Sequence, residues 1–345
     1  MELSERKKKI LASLIERYIA TGEPVGSKAL LESLPFSVSS ATIRNELKEL
    51  DDLGFLEQPH TSAGRVPTGQ GYRYYVDNLM ERFDLPEGEK SLIRSKLQNV
   101  SGDSQKVLET AGEILADMTG CAAVSTTPRD EAALVRRVEL VPIGTKTVMI
   151  VMITSSGIIK SRVCKCISEM TPDMAECFYN LVAEHFLGKP AAAMHIAKIQ
   201  TLAVSLGDKA LCMTPLLYAL CDLAQMTERT EMLLEGQSNL LHYKEYDREV
   251  YKLLEFLRSG EPLYHLFTSA KEGSASEPNV LIGKENCFRE LQNSSMIFDS
   301  YRIGGRDSGT LGIIGPTRVD YARLIPSLKY LTKIVGNILS DSLEE

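Results

Sequence analysis

The chain has 345 residues, of which 43% are hydrophobic and 25% are charged, as in a folded protein with two or three domains. Its net charge of −7 excludes a generally basic nucleic-acid protein but allows a local basic surface. The amino terminus carries no apolar signal segment, and the longest apolar run, Val148 to Ile153, is far shorter than the ~20 residues that cross a bilayer. We therefore expect a cytoplasmic protein without a membrane partner.

Two helices are predicted at the start of the chain. Ser4 can cap the first, whose apolar positions from Ile10 to Tyr18 repeat at helical spacing. Ser27 can cap the second, which ends before Pro35. Both helices have one apolar face and therefore need a common core.

A third helix is predicted to begin at Ser39 or Ser40 and to end at Gly54. Its apolar stripe contains Ile43, Leu47, Leu50 and Leu53. At 100° per residue, the opposite face carries Ala41, Arg44, Asn45 and Lys48. The third helix should thus bury one face and expose a polar one.

A short hairpin follows the third helix. Residues 55–58 can form its first strand and residues 65–67 its second, with Arg65 at the tip of the turn between them. Three helices and a hairpin predict a winged helix-turn-helix domain over residues 1–83. Helical spacing from Tyr72 to Phe83 predicts a fourth helix that leads out of this domain.

The third helix has the chemistry of a major-groove reader. Small residues at its start let the backbone approach DNA, and Ser39, Ser40 and Thr42 can donate to phosphate oxygens. Arg44 can pair with guanine and Asn45 with adenine, whereas Lys48 suits a phosphate.

The hairpin adds a predicted second contact. Thr61, Ser62 and Arg65 form its turn, and an arginine at such a tip is favoured in a narrow minor groove. Arg73, in the fourth helix, is predicted to contact the DNA backbone. Serines before a helix are also common simple caps, and a charged helix face is often only solvated, so the arrangement of helices and hairpin carries the DNA hypothesis.

The remaining residues predict an α+β region. Strands are predicted at 132–142, 147–154 and 158–167 in an antiparallel meander, and at 296–303 and 310–314. Helices are predicted within 89–118, from 171 to about 257, and at about 320–339. This order suggests an antiparallel sheet interrupted by an inserted helical domain, although two consecutive domains fit nearly as well.

The sequence contains no convincing catalytic or metal-binding constellation. Cys164 and Cys166 share one strand face, but no second pair has zinc-ligand spacing, and buried thiols are the favoured interpretation. His185 and His195 have no partner at a fixed spacing, and the glycines from Gly304 to Gly315 lack the phosphate-binding motif. Arg318 and Asp320 could bind a ligand or make an interdomain contact, but salt-bridging at a helix start is the favoured interpretation. We expect no enzyme and no cofactor.

Five segments resemble the heat-inducible transcription repressor family HrcA over essentially the whole chain. They are PVGSKALLE (24–32), VSSATIRNELKEL (38–50), PHTSAGRVPT (59–68), GYRYYVD (71–77) and LGIIGPTRVDY (311–321). The resemblance implies a winged helix at 1–83, a GAF-like antiparallel-sheet domain in two parts at 84–167 and 276–345, and an inserted dimerisation domain at 168–275.

The resemblance also implies a function. Such a protein binds an inverted-repeat operator of chaperone operons as a homodimer and represses them, and a chaperonin of the GroEL type keeps it active. The alternative is a small-molecule-responsive regulator with a pocket among the strands of its GAF-like domain. A purely structural interaction protein is a third hypothesis.

Overall fold

A computed structural model describes residues 3–34, 36, 38–60, 63–81, 83–128, 133–155, 158–228, 230–269 and 277–344. The amino-terminal part is a winged helix-turn-helix, as predicted. Its elements in chain order are α1 (Glu5–Thr21), α2 (Ser27–Leu31), α3 (Ser40–Asp52), β1 (Leu56–Glu57), β2 (Val66–Pro67) and α4 (Gly69–Tyr74).

Two predicted helix boundaries in this domain are wrong. Gly26 is the N-cap of α2, and Ser27 is its first helical residue. After α4 the chain makes one π-helical turn, Tyr75–Leu79, and then becomes extended at Met80. Phe83 is therefore not part of a helical stripe, and 63% of it is exposed.

The centre of the molecule is a five-stranded, fully antiparallel sheet. Its spatial order is β7-β3-β10-β9-β8. The strands are β3 (Ala122–Thr126), β7 (Met232–Glu235), β8 (Asn279–Ile282), β9 (Ser294–Ile303) and β10 (Arg306–Pro316). The strands β3, β7 and β8 are not predicted from the sequence.

Helices cover both faces of this sheet. The helices are α5 (Glu87–Gln98), α6 (Ser104–Thr119), α10 (Val250–Ser259), α11 (Glu261–Ser269) and α12 (Tyr321–Glu344). Alternate strand residues separate the two cores: Ile297 and Ile313 pack with α6 and α12, whereas Met296 and Ile314 pack with α10 and α11. The first core continues without interruption into the winged helix.

An insertion separates β3 from β7, but its boundaries differ from the predicted 168–275. The predicted meander is a separate three-stranded sheet of β4 (Val135–Gly144), β5 (Thr147–Thr154) and β6 (Ile159–Lys165). It shares a core with α7 (Pro172–His185), α8 (Ile196–Ser205) and α9 (Ala210–Glu228). The meander thus belongs to the insertion and not to the interrupted sheet, because its apolar face packs on these helices.

The start and end of the insertion are tied together. Thr127 donates its backbone N–H to the Glu231 carbonyl at 2.8 Å, and the Glu231 N–H donates to the Thr127 hydroxyl at 2.8 Å. The chain therefore leaves β3 and returns to β7 at one point. Residues 232–269, predicted to lie in the insertion, pack instead on the five-stranded sheet.

One helix is long and apolar enough to cross a membrane by length and composition. This stretch, Gly207–Thr227, includes most of α9, and half of its most apolar window is buried within the protein. Because Leu216, Leu217 and Leu220 are fully buried in the core of the insertion, we interpret α9 as a core helix.

Candidate nucleic-acid interface

The third predicted helix is α3 of the helix-turn-helix, and hydroxyl groups hold its start in place. The Ser39 hydroxyl accepts the Thr42 N–H at 3.1 Å and thereby caps the helix. The same hydroxyl is 2.8 Å from that of Thr42, and the Ser40 hydroxyl is 3.5 Å from that of Ser27 in α2. These hydroxyls therefore fix the start of α3 beside α2.

The two faces of α3 divide as the sequence predicts. Ile43, Leu47 and Leu50 are buried, whereas Arg44, Asn45 and Lys48 are exposed. In the part of the chain that the structure describes, no side-chain hydrogen bond or ion pair involves these three exposed residues. Their donors are thus available to an external ligand.

A buried carboxylate fixes the opposite side of α3. Glu46 is only 4% exposed, and its Oε1 accepts the Arg6 Nε–H at 2.6 Å. Lys7 Nζ lies 3.6 Å from the other carboxylate oxygen, which is a charge contact without a hydrogen bond, and 2.6 Å from Glu49. Glu46 is not among the candidate residues predicted from the sequence, although its position three residues after Ile43 puts it on the buried stripe.

The wing is a short antiparallel hairpin with a third strand segment beside it. Val25 and Arg65 exchange two backbone hydrogen bonds of 2.9 Å each. Gly64 permits this close approach, because a Cβ there would lie 2.4 Å from the Val25 carbonyl carbon. Across the turn, the Gln58 amide donates to the Ala63 carbonyl at 2.9 Å.

The predicted position of Arg65 at the tip of the wing is wrong. Its backbone pairs with Val25 at the base of the wing, and only 19% of its side chain is exposed. Its Nε lies 2.9 Å from Asp51 in α3, close enough for an ion pair but without hydrogen-bond alignment. Arg65 therefore joins the wing to α3. Thr61 and Ser62 lie outside the described residues.

The structure also gives Arg73 a different place from the predicted DNA backbone contact. Its Nε and Nη2 donate to the Glu285 carboxylate at 2.9 and 2.5 Å, and Nη2 also donates to the Val280 carbonyl at 2.5 Å. Its Nη1 donates to Asp77 at 3.2 Å. Since all three donor nitrogens are engaged, Arg73 connects the winged helix to the sheet domain.

The hydrogen bonds that Arg73 donates to Glu285 raise the pKa of Arg73 above its ordinary value. For Glu285, burial alone would raise the pKa, but hydrogen bonds from Arg73 and the Ile282 N–H lower it below its ordinary value. Both groups are therefore charged at neutral pH.

Arg318 forms a second connection between the two parts. Its Nε donates to Glu245 at 2.5 Å, and Nη1 donates to the Ile19 carbonyl in the last turn of α1 at 3.0 Å. The predicted salt bridge is confirmed for Arg318, which also makes an interdomain contact to α1, whereas no ion pair of Asp320 occurs among the described residues. Asp320 accepts the Arg323 N–H at 3.2 Å and so caps α12.

The other residues considered as candidates for metal binding, catalysis or phosphate binding have structural roles. Cys164 and Cys166 are half-buried beside the core of the insertion, and His195 caps α8 by accepting the Lys198 N–H at 3.3 Å. Gly304 and Gly305 have φ values of 56° and 79° in the β9–β10 turn, as predicted, whereas Gly309, Gly312 and Gly315 lie within β10.

Comparisons with known proteins identify the families that the two parts of the chain match. Residues 2–79 match the family described as winged helix-turn-helix transcription repressor, HrcA DNA-binding, and residues 105–325 match the HrcA protein C-terminal domain. The chain is 34% identical over 340 residues to the heat-inducible transcription repressor HrcA of Caldanaerobacter subterraneus subsp. tengcongensis, covering 99% of this chain and 98% of that one.

A second relative and one solved structure extend the likeness. The heat-inducible transcription repressor HrcA of Acetivibrio thermocellus is 32% identical, with 96% of this chain and 95% of the relative covered. A crystal structure of a hypothetical protein has a TM-score of 0.70 and 23% identity, with 99% of this chain and all of that chain covered, which supports the fold.

Proposed function

The chain belongs to the HrcA family of heat-inducible transcription repressors, and we propose that it represses chaperone operons in the cytoplasm by binding an inverted-repeat operator as a homodimer. The observation that carries the operator contact is the exposed face of α3. It presents Arg44, Asn45 and Lys48, while the opposite face is held by buried leucines and by Glu46.

In this proposal Arg44 and Asn45 read base edges, since a guanidinium suits guanine and a side-chain amide suits adenine. Lys48, one turn later, contacts a phosphate. Ser39, Ser40 and Thr42 bring the backbone at the start of α3 close to the duplex, and Thr61 and Ser62 contact it from the wing. Arg65 supports the wing from α3, and Arg73 is not part of this interface.

The dimer contact is assigned to the outer face of the three-stranded sheet in the insertion. Six apolar side chains share this face, and Arg137, Glu139 and Ser161 lie among them; the six are Val141, Met149, Val151, Ile153, Ile159 and Val163. Ile159 is 64% exposed and Val163 is 58% exposed, although both belong to a regular strand. Exposed apolar side chains grouped in this way are typical of an interaction surface.

A second copy of the chain is the proposed occupant of this outer face. An inverted repeat presents two half-sites related by a two-fold axis, so its reader needs the same symmetry and a self-complementary contact. We expect Val163→Asp to convert the dimer to a monomer in analytical ultracentrifugation. Val204→Asp is the matched control, because Val204 is 84% exposed on α8 of the same insertion. A dimeric Val163→Asp protein would contradict this contact.

A chaperonin of the GroEL type is the proposed partner that maintains activity. Its support is the family's heat-inducible regulation together with the outer face, which a monomer leaves exposed to water. A chaperonin that captures this apolar surface would return the chain to the dimer. During heat shock, unfolded proteins would occupy the chaperonin, so active repressor would decline.

The proposed function is tested by operator binding at several salt concentrations, with and without chaperonin. We expect sequence-specific binding to an inverted repeat from a chaperone promoter, and a larger active fraction when chaperonin is present. Specific binding that ignores chaperonin would remove the chaperonin part only. Equal affinity for the repeat and for random DNA would overturn the whole proposal.

Ligand sensing is the second candidate function. Packed cores cover both faces of the five-stranded sheet, and two cavities lie at its margins. One of about 340 Å³ lies along the edge strand β7, where Leu233, Glu235 and Arg258 line it. Another of about 300 Å³ lies between the segment after the winged helix and α12. A metabolite that co-purifies with the protein and changes operator affinity would favour this candidate.

A further inference from the structure

The contact between the winged helix and the sheet domain has a geometry that bears on operator choice. We propose that Arg73 and Arg318 are positioning residues, which hold the winged helix at a fixed angle on the sheet domain and thereby set the half-site spacing that the dimer accepts. This inference rests on the proposed function, because it concerns how two copies reach two half-sites together.

The first fixed point is the pair of Arg73 and Glu285. Two parallel hydrogen bonds of 2.9 and 2.5 Å join the guanidinium to the carboxylate, a geometry that restricts both distance and direction. The carboxylate itself is held, because its Oε2 accepts the Ile282 N–H at 2.7 Å. The Val280 carbonyl, which accepts from Nη2 at 2.5 Å, adds a contact on β8.

The second fixed point is the end of α1. This helix has no basic residue in its last turn, where backbone carbonyls lack helical partners. Arg318, from the sheet domain, supplies the missing cation and donates to the Ile19 carbonyl at 3.0 Å. Gly22 leaves room for it, since a Cβ at this residue would lie 3.2 Å from the Arg318 guanidinium carbon.

An apolar contact lies between the winged helix and the sheet domain and completes the joint. The rings of Tyr72 and Tyr321 are 5.9 Å apart, and both are almost fully buried. Two directional anchors and this buried contact prevent the winged helix from turning about any single one of them. The π-helical turn Tyr75–Leu79 begins two residues after Arg73, and such turns often mark functional positions.

A fixed angle has a measurable consequence on DNA. Each half-site faces one side of the duplex, and adding about five base pairs to the spacer turns one half-site by roughly half a helical turn. With a rigid joint, the second winged helix reaches its half-site only when the spacer has the correct length. A loosened joint should lower the effective concentration of the second winged helix at its half-site when the spacer is correct. It should also let the dimer bind repeats with other spacer lengths better.

The experiment measures full-length protein on three duplexes: the inverted repeat, the same repeat with five added base pairs, and a single half-site. We expect wild-type protein to prefer the correct spacer at least ~10-fold, and Arg73→Ala, Glu285→Gln or Arg318→Ala to lower this ratio to about 2-fold. Binding to the single half-site should stay within about 2-fold of wild type, because α3 is unchanged. Arg302→Ala is the matched control, since it removes an exposed ion pair with Asp307 away from the joint.

Glu285→Gln separates positioning from a direct phosphate contact by Arg73. If Arg73 bound a phosphate, removing the nearby negative charge would strengthen binding to every duplex and leave the spacer preference intact. That result, or an unchanged ratio in all three variants, would overturn the inference. A wild-type protein without preference for the inverted repeat would instead overturn the proposed function.

Discussion

Replacing Arg44 with alanine should remove discrimination at the base pair that Arg44 contacts without weakening the fold. Arg44 is exposed on α3 and has no partner among the residues that the structure describes. Substitutions of this kind change the free energy of unfolding by less than about 0.5 kcal/mol. A loss of binding in Arg44→Ala can therefore be attributed to the lost DNA contact and not to a less stable fold.

The expected loss of binding is much larger. A bidentate contact from arginine to guanine contributes about 1–3 kcal/mol of discrimination. Because a dimer makes this contact in both half-sites, the expected loss is about 2–6 kcal/mol, which corresponds to roughly 30-fold to 10⁴-fold in the dissociation constant.

The assay is a fluorescence-anisotropy titration of operator duplexes in which each base pair is changed in turn, alongside random DNA and a thermal unfolding curve. One of these duplexes is changed, in each half-site, at the base pair that Arg44 contacts. The Arg44→Ala protein should bind this duplex as tightly as the natural operator. Arg258→Ala is the matched control, because Arg258 is exposed on α10, outside the winged helix. Equal losses on operator and random DNA would refute direct readout, and a lowered melting temperature would refute the assumed independence from folding.

Three further predictions concern the electrostatics of the winged helix and its joint. Lys48→Ala should weaken operator and random DNA alike and should reduce the salt slope by about 1 per protomer in anisotropy titrations; an unchanged slope would exclude a phosphate contact. Arg6→Ala should lower the free energy of unfolding by about 1–3 kcal/mol in urea, because it removes the hydrogen bond to the buried Glu46 carboxylate. The additional substitution Glu46→Gln should recover part of this loss, and no recovery would contradict the explanation. The lowered pKa of Glu285 implies that its stabilising contribution is present above the ordinary value of 4.5 and is lost as pH falls below it, and Glu285→Gln should flatten the unfolding profile in that window.

Local patterns were sufficient to predict the face of α3. The positions of Ile43 and Leu47 define one stripe, and simple helical geometry then assigns Arg44 and Lys48 to solvent. The Ser39 cap could also be predicted locally, because a serine before a helix can accept a backbone N–H of its first turn. These predictions succeeded because a single helix contains all the information that they require.

Residues whose partners lie far along the chain could not be assigned in this way. Arg73 follows a glycine-rich segment beside the predicted wing, where phosphate contact is the simplest expectation, but its carboxylate partner is Glu285. Arg65 was placed at a tip because its backbone pairing with Val25 leaves no local signal. Likewise, the regular meander was assigned to the interrupted sheet, since periodicity identifies strands without identifying the sheet that they join.

The charge distribution connects the winged helix to the proposed need for a dimer. The chain carries a net charge of −7, so long-range attraction to DNA is weak. Several cations of the winged helix also have carboxylate partners within the protein: Arg6, Lys7, Lys8, Arg65 and Arg73. They are half of the ten lysines and arginines described between residues 3 and 81, so a single copy has fewer free cations for phosphates than its sequence suggests. In the proposed dimer, the affinity comes from two half-sites that are bound together. Once one winged helix is bound, the second meets its half-site at a high effective concentration. In the proposed function, loss of the dimer through the outer face would therefore lower operator occupancy by orders of magnitude while leaving α3 intact, and dimer formation would be the step at which heat controls repression.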